Sequence, residues 1–397
     1  MVGGGPAGLA AAERITKQDL SVVVFEEHDT IGESLACSEV MSVDKLRELE
    51  LVNAEDPIES SPFVRRRISL QRFFFGSNSV CTARLNTVLI DRSQFDQILA
   101  KNAEAAGAEI RTGSSVSTLN FTPESVEVEY QTKDTLNTQK MKAKIVIACD
   151  GPASRLVRQV FPDIEPRFVQ GVQYQIKGVF TDALEFYFDH ELTPWGYGWV
   201  LPKDDMTNVG ILLQPGKNPR ERLNQFVKKV YGNAGQAHAK VTKEIVRIIP
   251  AMGPLEQTVA DRFLVAGDAG GFTNTIFYGG IAIAIHTGRL AGEAAVHAIN
   301  AESVTVETLR IYEERWRQMS YADPALQLCH QVFYHELNND DIENIGILLD
   351  NLDIENIGIG TAIRIGWRLL RNRIPRSKFK LYKQTSDGFG VCRDWGF

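Results

Sequence analysis

Five cysteines are spread over 397 residues, at positions 37, 81, 149, 329 and 392, without a Cys-x-x-Cys pair. Such scatter excludes a structural zinc or iron–sulfur site, and an odd count suits a reducing compartment better than a disulfide framework. Positive charge is not in excess. The net charge of −7 argues against nucleic acid as a partner. No apolar run approaches the ~20 residues that span a bilayer, and no secretory leader stands at the start. His286 and His330 lack partners at metal-ligand spacing, so both are expected to be structural and no metal site is assigned. The expectation is a cytoplasmic chain; with 44% hydrophobic residues it is long enough for two or three domains.

What is abundant is glycine at the start. Gly3-Gly4-Gly5-Pro6-Ala7-Gly8 contains Gly-x-Gly-x-x-Gly. Glycines at these spacings let a backbone approach a dinucleotide pyrophosphate at a helix N-terminus. The Ala-rich run 7–15 is the helix, and 20–25 is an apolar, β-branched strand. Glu26 ends that strand, about 20 residues after the turn, where the ribose hydroxyls require an acid; Glu27 is the alternative. Gly3, Gly5, Pro6, Ala7 and Gly8 are therefore cofactor candidates. The strand that should feed the turn is nearly absent: only Met1 and Val2 precede it, against a usual ~5–6 residues. The expectation is that the chain begins late or that another segment fills the central place.

Further along, 92–107 reads as an amphipathic helix closed by a glycine. Residues 143–149 read as one continuous apolar strand ending in Asp150-Gly151. Strands are expected near 67–70, 80–83, 114–119, 125–130, 171–179, 184–189, 198–201 and 208–213, with a helix over 219–231. A second strand, 263–266, runs into Gly267-Asp268, and a helix follows Gly279-Gly280-Ile281. Asp268 is placed to accept from hydroxyls of a dinucleotide, and the helix start to aim its positive end at an anionic ring. The bland alternative for Asp268 is an N-cap. The last 90 residues read as helical and hold a local duplication, 341–347 and 353–359, too few copies for a solenoid.

The order of these motifs resembles the para-hydroxybenzoate hydroxylase-like FAD superfamily: the glycine turn, the acid, Arg92-x-x-Phe95-Asp96, Asp150-Gly151, then Gly267-Asp268. Within it the chain resembles the geranylgeranyl reductase family. Ala36-Cys37-Ser38-Glu39 is similar to that family's Cys-Gly-Glu segment, with Ser38 for Gly. Gly196-Tyr197-Gly198-Trp199-Val200-Leu201-Pro202 is similar to its Tyr-x-Trp-x-Phe-Pro motif, with Leu201 for Phe. The stretch from Gly270-Gly271 to Gly279-Gly280-Ile281 is similar to its second glycine turn, with Thr275 for Pro and Tyr278 where a Gly is common.

The resemblance implies an α/β chain with an α+β substrate part. A discontinuous, Rossmann-like FAD-binding domain (1–62, 88–165 and 255–320) would accompany an antiparallel-sheet substrate domain (63–87 and 166–254) and a helical C-terminal region (321–397). It implies FAD at Arg92, Asp150, Gly267, Asp268, Gly279, Gly280 and Ile281 as well as at the first turn. It also implies Cys37 beside the flavin, and Tyr197 and Trp199 on the substrate side. Each has a structural alternative: Cys37 as a small buried hydrophobe, Tyr197 and Trp199 as core aromatics, Arg92 as a surface helix start.

The implied reaction is hydride transfer from reduced flavin to a C=C bond of an isoprenoid lipid. Phe73, Phe74, Phe75, Tyr174, Phe186, Phe188, Tyr197 and Trp199 are expected to line its pocket. With one dinucleotide turn, the electron donor is NAD(P)H bound transiently or a ferredoxin-like carrier. The rivals are a monooxygenase or halogenase on the same fold, and an FAD-free binding protein. A halogenase would want a lysine near substrate, and 70–75 holds none. Finally, 361–383 carries eight Lys/Arg and no acid, with Ile363, Trp367, Leu370 and Ile374 on one helical face. It is expected either to lie peripherally on a membrane or to dock on the acidic body of the chain.

Overall fold

The computed structural model describes residues 1–33, 38–76, 79–165, 167–232, 240–349, 378 and 380–385. Its first layer grows from the glycine turn. Met1 and Val2 themselves stand in the central place of a parallel sheet. Val2 bridges Phe25 on one side and Ala148 on the other. The amide of Val2 donates to the carbonyl of Ile147 at 3.0 Å and that of Gly3 to Phe25 at 2.8 Å. Outward from Val2 lie Val23–Phe25 and then Glu109–Arg111 on one side. On the other lie Val146–Ala148, Phe263–Val265 and Val259–Ala260, the last antiparallel. The inner strands Val23–Phe25, Val146–Ala148 and Phe263–Val265 are apolar and largely buried, as a parallel sheet covered on both faces requires, whereas the edge strand Glu109–Arg111 is not buried.

Helix Pro6–Thr16 starts directly after the turn, with proline in its first turn. Its alanine face meets helix Ile281–Asn300, where small residues let the two backbones touch. A Cβ on Gly288 would collide with the carbonyl of Ala7, and one on Gly292 would lie 2.9 Å from that of Ala11. The C-terminal glycine motif is thereby locked behind the N-terminal one, although some 270 residues separate them in sequence.

The second layer is an eight-stranded sheet. Its order is Val241–Pro250, Phe168–Lys177, Met206–Leu213, Gly198–Lys203, Leu184–Phe188, Val64–Phe75, Ser79–Ile90 and Val40–Ser42. All neighbours are antiparallel except Leu184–Phe188 against Val64–Phe75. One face carries an aromatic cluster capped by helices Pro324–Gln331 and Asn339–Leu349; the other is covered by Pro219–Tyr231 through Leu223, Phe226 and Val227. A separate meander pairs Ser114–Phe121, Val126–Thr132 and Thr135–Ala143.

Several expectations need correcting. The run 143–149 is not one strand: Ala143 ends the meander and Val146–Ala148 begins the parallel strand. The hairpin Val64–Phe75 and Ser79–Ile90 is far longer than its two apolar fragments indicated. Strand Val241–Pro250 was not anticipated, because its exposed lysine and glutamate break the apolar pattern at this sheet edge. Phe74 and Tyr174 face away from the aromatic cluster, since successive strand residues alternate. Phe74 stacks on Tyr187 at 4.3 Å, and Tyr174 bonds Asn224 beneath helix Pro219–Tyr231.

Candidate cofactor and substrate cavity

A cavity of about 680 Å³ lies between the two layers. The first turn reaches it through Gly3, Gly5, Pro6 and Ala7, and the next strand through Glu26 and Glu27. Arg92 and Asp150 line it from the middle of the chain. Gly267, Asp268, Gly279, Gly280 and Ile281 line it from the second glycine motif. Tyr197 and Trp199 form part of the wall on the large sheet. Gly8, expected among the cofactor contacts, sits behind this surface: a Cβ there would strike the carbonyl of Gly3, so its role is close packing. Cys37 lies outside the described residues; its neighbour Ser38 lines the cavity.

The turn has the geometry of an anion cradle. Gly3 has φ +105°, and a Cβ on it would overlap the carbonyl of Cys149. Gly5 has nothing within 4 Å of a Cβ position; it borders open cavity at the N-terminus of helix Pro6–Thr16. The Gly4 amide donates to Glu26 Oε2 at 2.8 Å. Glu26 Oε1 accepts from the His28 amide at 3.0 Å and lies 2.6 Å from His28 Nδ1. Glu26 is thus tied to the turn at a fixed distance, while Glu27 is exposed.

Two aspartates face the cavity with carboxyls held away from water. Burial pushes Asp150 up to about 6, against the opposing hydrogen bond of Ser154. Its Oδ1 is buried without a hydrogen-bond partner among the described residues. Burial also pushes Asp268 up to about 6, and the charge of Arg92 pulls it back. Arg92 is itself buried, contrary to a surface helix start. Its Nε and Nη2 each lie 3.0 Å from the two oxygens of Asp96, whose carboxyl burial raises. Helix Ile281–Asn300 opens onto the cavity without a side-chain cap, so its first amides are presented there. Orphaned acceptor, glycine cradle and uncapped helix start form a donor–acceptor set that fits a dinucleotide: hydroxyls for the two aspartates, phosphates for the amides.

The opposite wall is aromatic. Tyr197 and Trp199 have ring centroids 6.0 Å apart, and their polar atoms are taken up inside the protein. The Tyr197 hydroxyl donates to the Phe277 carbonyl at 2.6 Å, and Trp199 Nε1 to Gln173 Oε1 at 3.0 Å. Phe277 and Tyr278 also line the cavity. Phe73, Phe186 and Phe188 form the layer behind, with Phe73 and Phe186 stacked at 5.4 Å. Sequence reasoning passed over Phe277 and Tyr278 as part of a glycine turn. It also missed the buried pair Glu39–Lys203 at 2.7 Å, in which Glu39 further accepts from Asn208 at 3.2 Å. The only signal for that pair was adjacency, Glu39 to Ser38 and Lys203 to Pro202.

The FAD binding domain family model matches residues 1–250. Digeranylgeranylglycerophospholipid reductase 1 of Methanopyrus kandleri is 32% identical over 327 residues, covering 80% of this chain and 85% of the relative. A reductase of the same name from Methanococcoides burtonii is 28% identical over 369 residues, covering 89% and 87%. A crystal structure of a geranylgeranyl bacteriochlorophyll reductase-like protein from Thermoplasma acidophilum superposes with a TM-score of 0.82 at 21% identity. The match covers 96% of this chain and 98% of that one, and it shows a shared fold.

Proposed function

This chain belongs to the FAD binding domain family and, within it, to the geranylgeranyl reductases, and we propose that it reduces C=C double bonds in the geranylgeranyl chains of a lipid. One observation carries this: a single cavity has a glycine-and-aspartate wall suited to FAD facing an aromatic wall suited to an isoprenoid. Gly3, Gly5 and Ala7 would hold FAD at its pyrophosphate, Glu26 at its ribose, Asp150 and Asp268 at hydroxyls, and Gly279, Gly280 and Ile281 at the flavin. Reduced FAD supplies a hydride when bound. The residues of this chain bind, orient and keep water out. Tyr197 and Trp199, with their polar atoms already satisfied, present ring faces to an apolar chain and offer it no competing hydrogen bond. Cys37 or a bound water would deliver the proton to the second carbon.

The electron donor is NAD(P)H or a ferredoxin-like carrier, since the chain shows one dinucleotide turn. Segment 361–383 is proposed to meet a membrane surface, where such a substrate resides. Most of it lies outside the described residues. At its end Lys378 pairs with Asp341 at 2.8 Å and Tyr382 donates to the same carboxylate at 3.1 Å, so this end docks on helix Asn339–Leu349. No helix of the described residues is long and apolar enough to cross a membrane.

The test is to reduce the flavin-loaded protein anaerobically, add a geranylgeranyl lipid and record mass spectra. Two hydrogens gained per double bond are expected. In a parallel aerobic assay, substrate-dependent oxygen consumption without hydrogenation would instead establish the monooxygenase or halogenase alternative.

A further inference from the structure

Tyr278 is the one non-glycine residue of the second glycine motif, 267–280, that has a positive φ, +54°. A bulky side chain rarely adopts that backbone conformation, so something must hold it there. The hydroxyl donates to the carbonyl of Trp195 at 2.7 Å and lies 3.1 Å from Nε2 of His330. The ring lies nearly parallel to Tyr197 (6.4 Å, 15°) and to Tyr334 (5.9 Å, 28°). These contacts fix the phenol as part of the cavity wall, directly before Gly279 and Gly280. Behind it is a secluded place. His330 is buried, its Nδ1 has no partner among the described residues, and burial pushes its pKa down to about 3, so it stays neutral. The phenol therefore stands between the cavity and a buried, largely aromatic interior that includes His330, Phe333 and Tyr334, with the charge of Arg167 near enough to act on His330.

We propose that Tyr278 is a specificity-determining residue that sets how far an isoprenoid chain enters the cavity, and thereby which chain lengths are bound. The inference rests on the isoprenoid reading of this site. A phenol ring fills about the space of one isoprene unit. Its removal extends the cavity towards His330 and Tyr334 without introducing a charge. Backbone strain also falls, because glycine and asparagine accept a positive φ more readily than tyrosine.

The test uses oxidised, flavin-loaded protein and the prenols geraniol, farnesol, geranylgeraniol and geranylfarnesol, with binding read from perturbation of the flavin absorbance. In the parent protein affinity is expected to rise with length and then level off. In Tyr278→Gly that limit moves at least one isoprene unit longer, and the longest prenol binds about 10-fold tighter than to the parent. Tyr278→Asn opens the same space and gives the same shift should the glycine variant fold poorly. Tyr278→Phe keeps the ring and the parent's limit. An unchanged limit in both the Gly and Asn variants overturns the proposal while leaving the isoprenoid reading intact. A parent protein that binds no prenol of any length overturns both.

Discussion

The two walls of the cavity are made in opposite ways. The cofactor wall is backbone: Gly3, Gly151 and Gly267 have φ of +105°, +80° and +62°, and a Cβ on Gly3 or Gly267 would run into Cys149 or Ala7. The facing wall is side chain: Tyr197 and Trp199 project from a strand and Phe277 and Tyr278 from the loop before Gly279, Tyr278 alone at positive φ, and all four are backed by Phe73, Phe186 and Phe188. On the first wall one added methyl group removes a contact surface. On the second, rings can be exchanged in steps. The walls should therefore respond differently to substitution, sharply on one side and gradually on the other.

The largest effect is expected where the two walls meet. Glu39 stands beside Ser38, at the cavity edge, and Lys203 ends a strand of the large sheet; their 2.7 Å ion pair is nearly inaccessible. Lys203→Met removes the lysine of this nearly inaccessible ion pair and should cost about 3–5 kcal/mol in urea unfolding. Lys203→Met with Glu39→Gln should recover most of that loss, because the carboxylate charge is gone. A single variant as stable as the parent would mean that the walls are not joined through this pair.

On the backbone wall itself Gly5→Ala is the sharper test. Its Cβ would meet no protein atom within 4 Å, so apo stability should change little. That same Cβ would occupy the space assigned to phosphate, and FAD affinity should fall roughly 100-fold, or about 2.7 kcal/mol. Gly107→Ala is the matched control. It also has free space, but its φ is +109° and it lies outside the cavity lining. It should lose about 1 kcal/mol of stability and no FAD affinity. Equal loss of flavin in both variants would erase the distinction between the walls.

The same contrast explains what could be read in the sequence. Gly3, Glu26, Asp150 and Asp268 were legible because a backbone cradle constrains residue type at fixed spacing, and they converge on one cavity although they are scattered along the chain. Arg92 was legible as a motif, but its burial against Asp96 was not. The aromatic wall was half legible. Tyr197 and Trp199 came from a short motif, whereas Phe277 and Tyr278 lay inside a glycine motif and drew no attention as rings. Phe74 and Tyr174 were misplaced because counting aromatics ignored strand alternation, which sends Phe73 and Phe75 to one face and Phe74 to the other. The edge strand Val241–Pro250 was missed because its outward lysine and glutamate mask the period of two. Strand statistics did not point to Val2 as the centre of the sheet, yet it makes parallel bridges on both sides.

A smaller, pH-dependent effect distinguishes the acids of the cofactor wall. Burial raises Asp150 and Asp268 from 3.8 to about 6. Between those values the unfolded chain has released its protons and the folded chain has not. Apo stability is therefore highest below about pH 4, falls as pH rises towards 6, and is constant above it as far as these groups decide. For Asp268 the loss is about 1–2 kcal/mol after allowance for screening at the open cavity. Hydroxyl donors from a bound dinucleotide favour the carboxylate, so FAD affinity should rise over the same interval. Asp268→Asn should reduce the slope of both profiles and leave the part that Asp150 contributes. Thermal unfolding and flavin titration at pH 5 and pH 7.5 check the pair; an Asn variant that keeps the slopes of the parent would remove Asp268 from the titration.

The smallest effect belongs to the aromatic wall. Tyr197→Phe deletes the hydroxyl that donates to the Phe277 carbonyl at 2.6 Å and leaves the ring in place. One buried hydrogen bond is lost, for about 1 kcal/mol of stability. Ring contacts with Phe186, Trp199 and Phe277 are retained. If the wall works by shape, the preference among prenol lengths should stay where it was and FAD affinity should not move. If the hydroxyl instead acts on the reacting chain, reduction will slow far more than a 1 kcal/mol change in stability explains, at unchanged prenol affinity. Tyr197→Phe thus asks whether the second wall only encloses its ligand or also takes part in the chemistry, and the hydrogen bond to the Phe277 carbonyl favours enclosure.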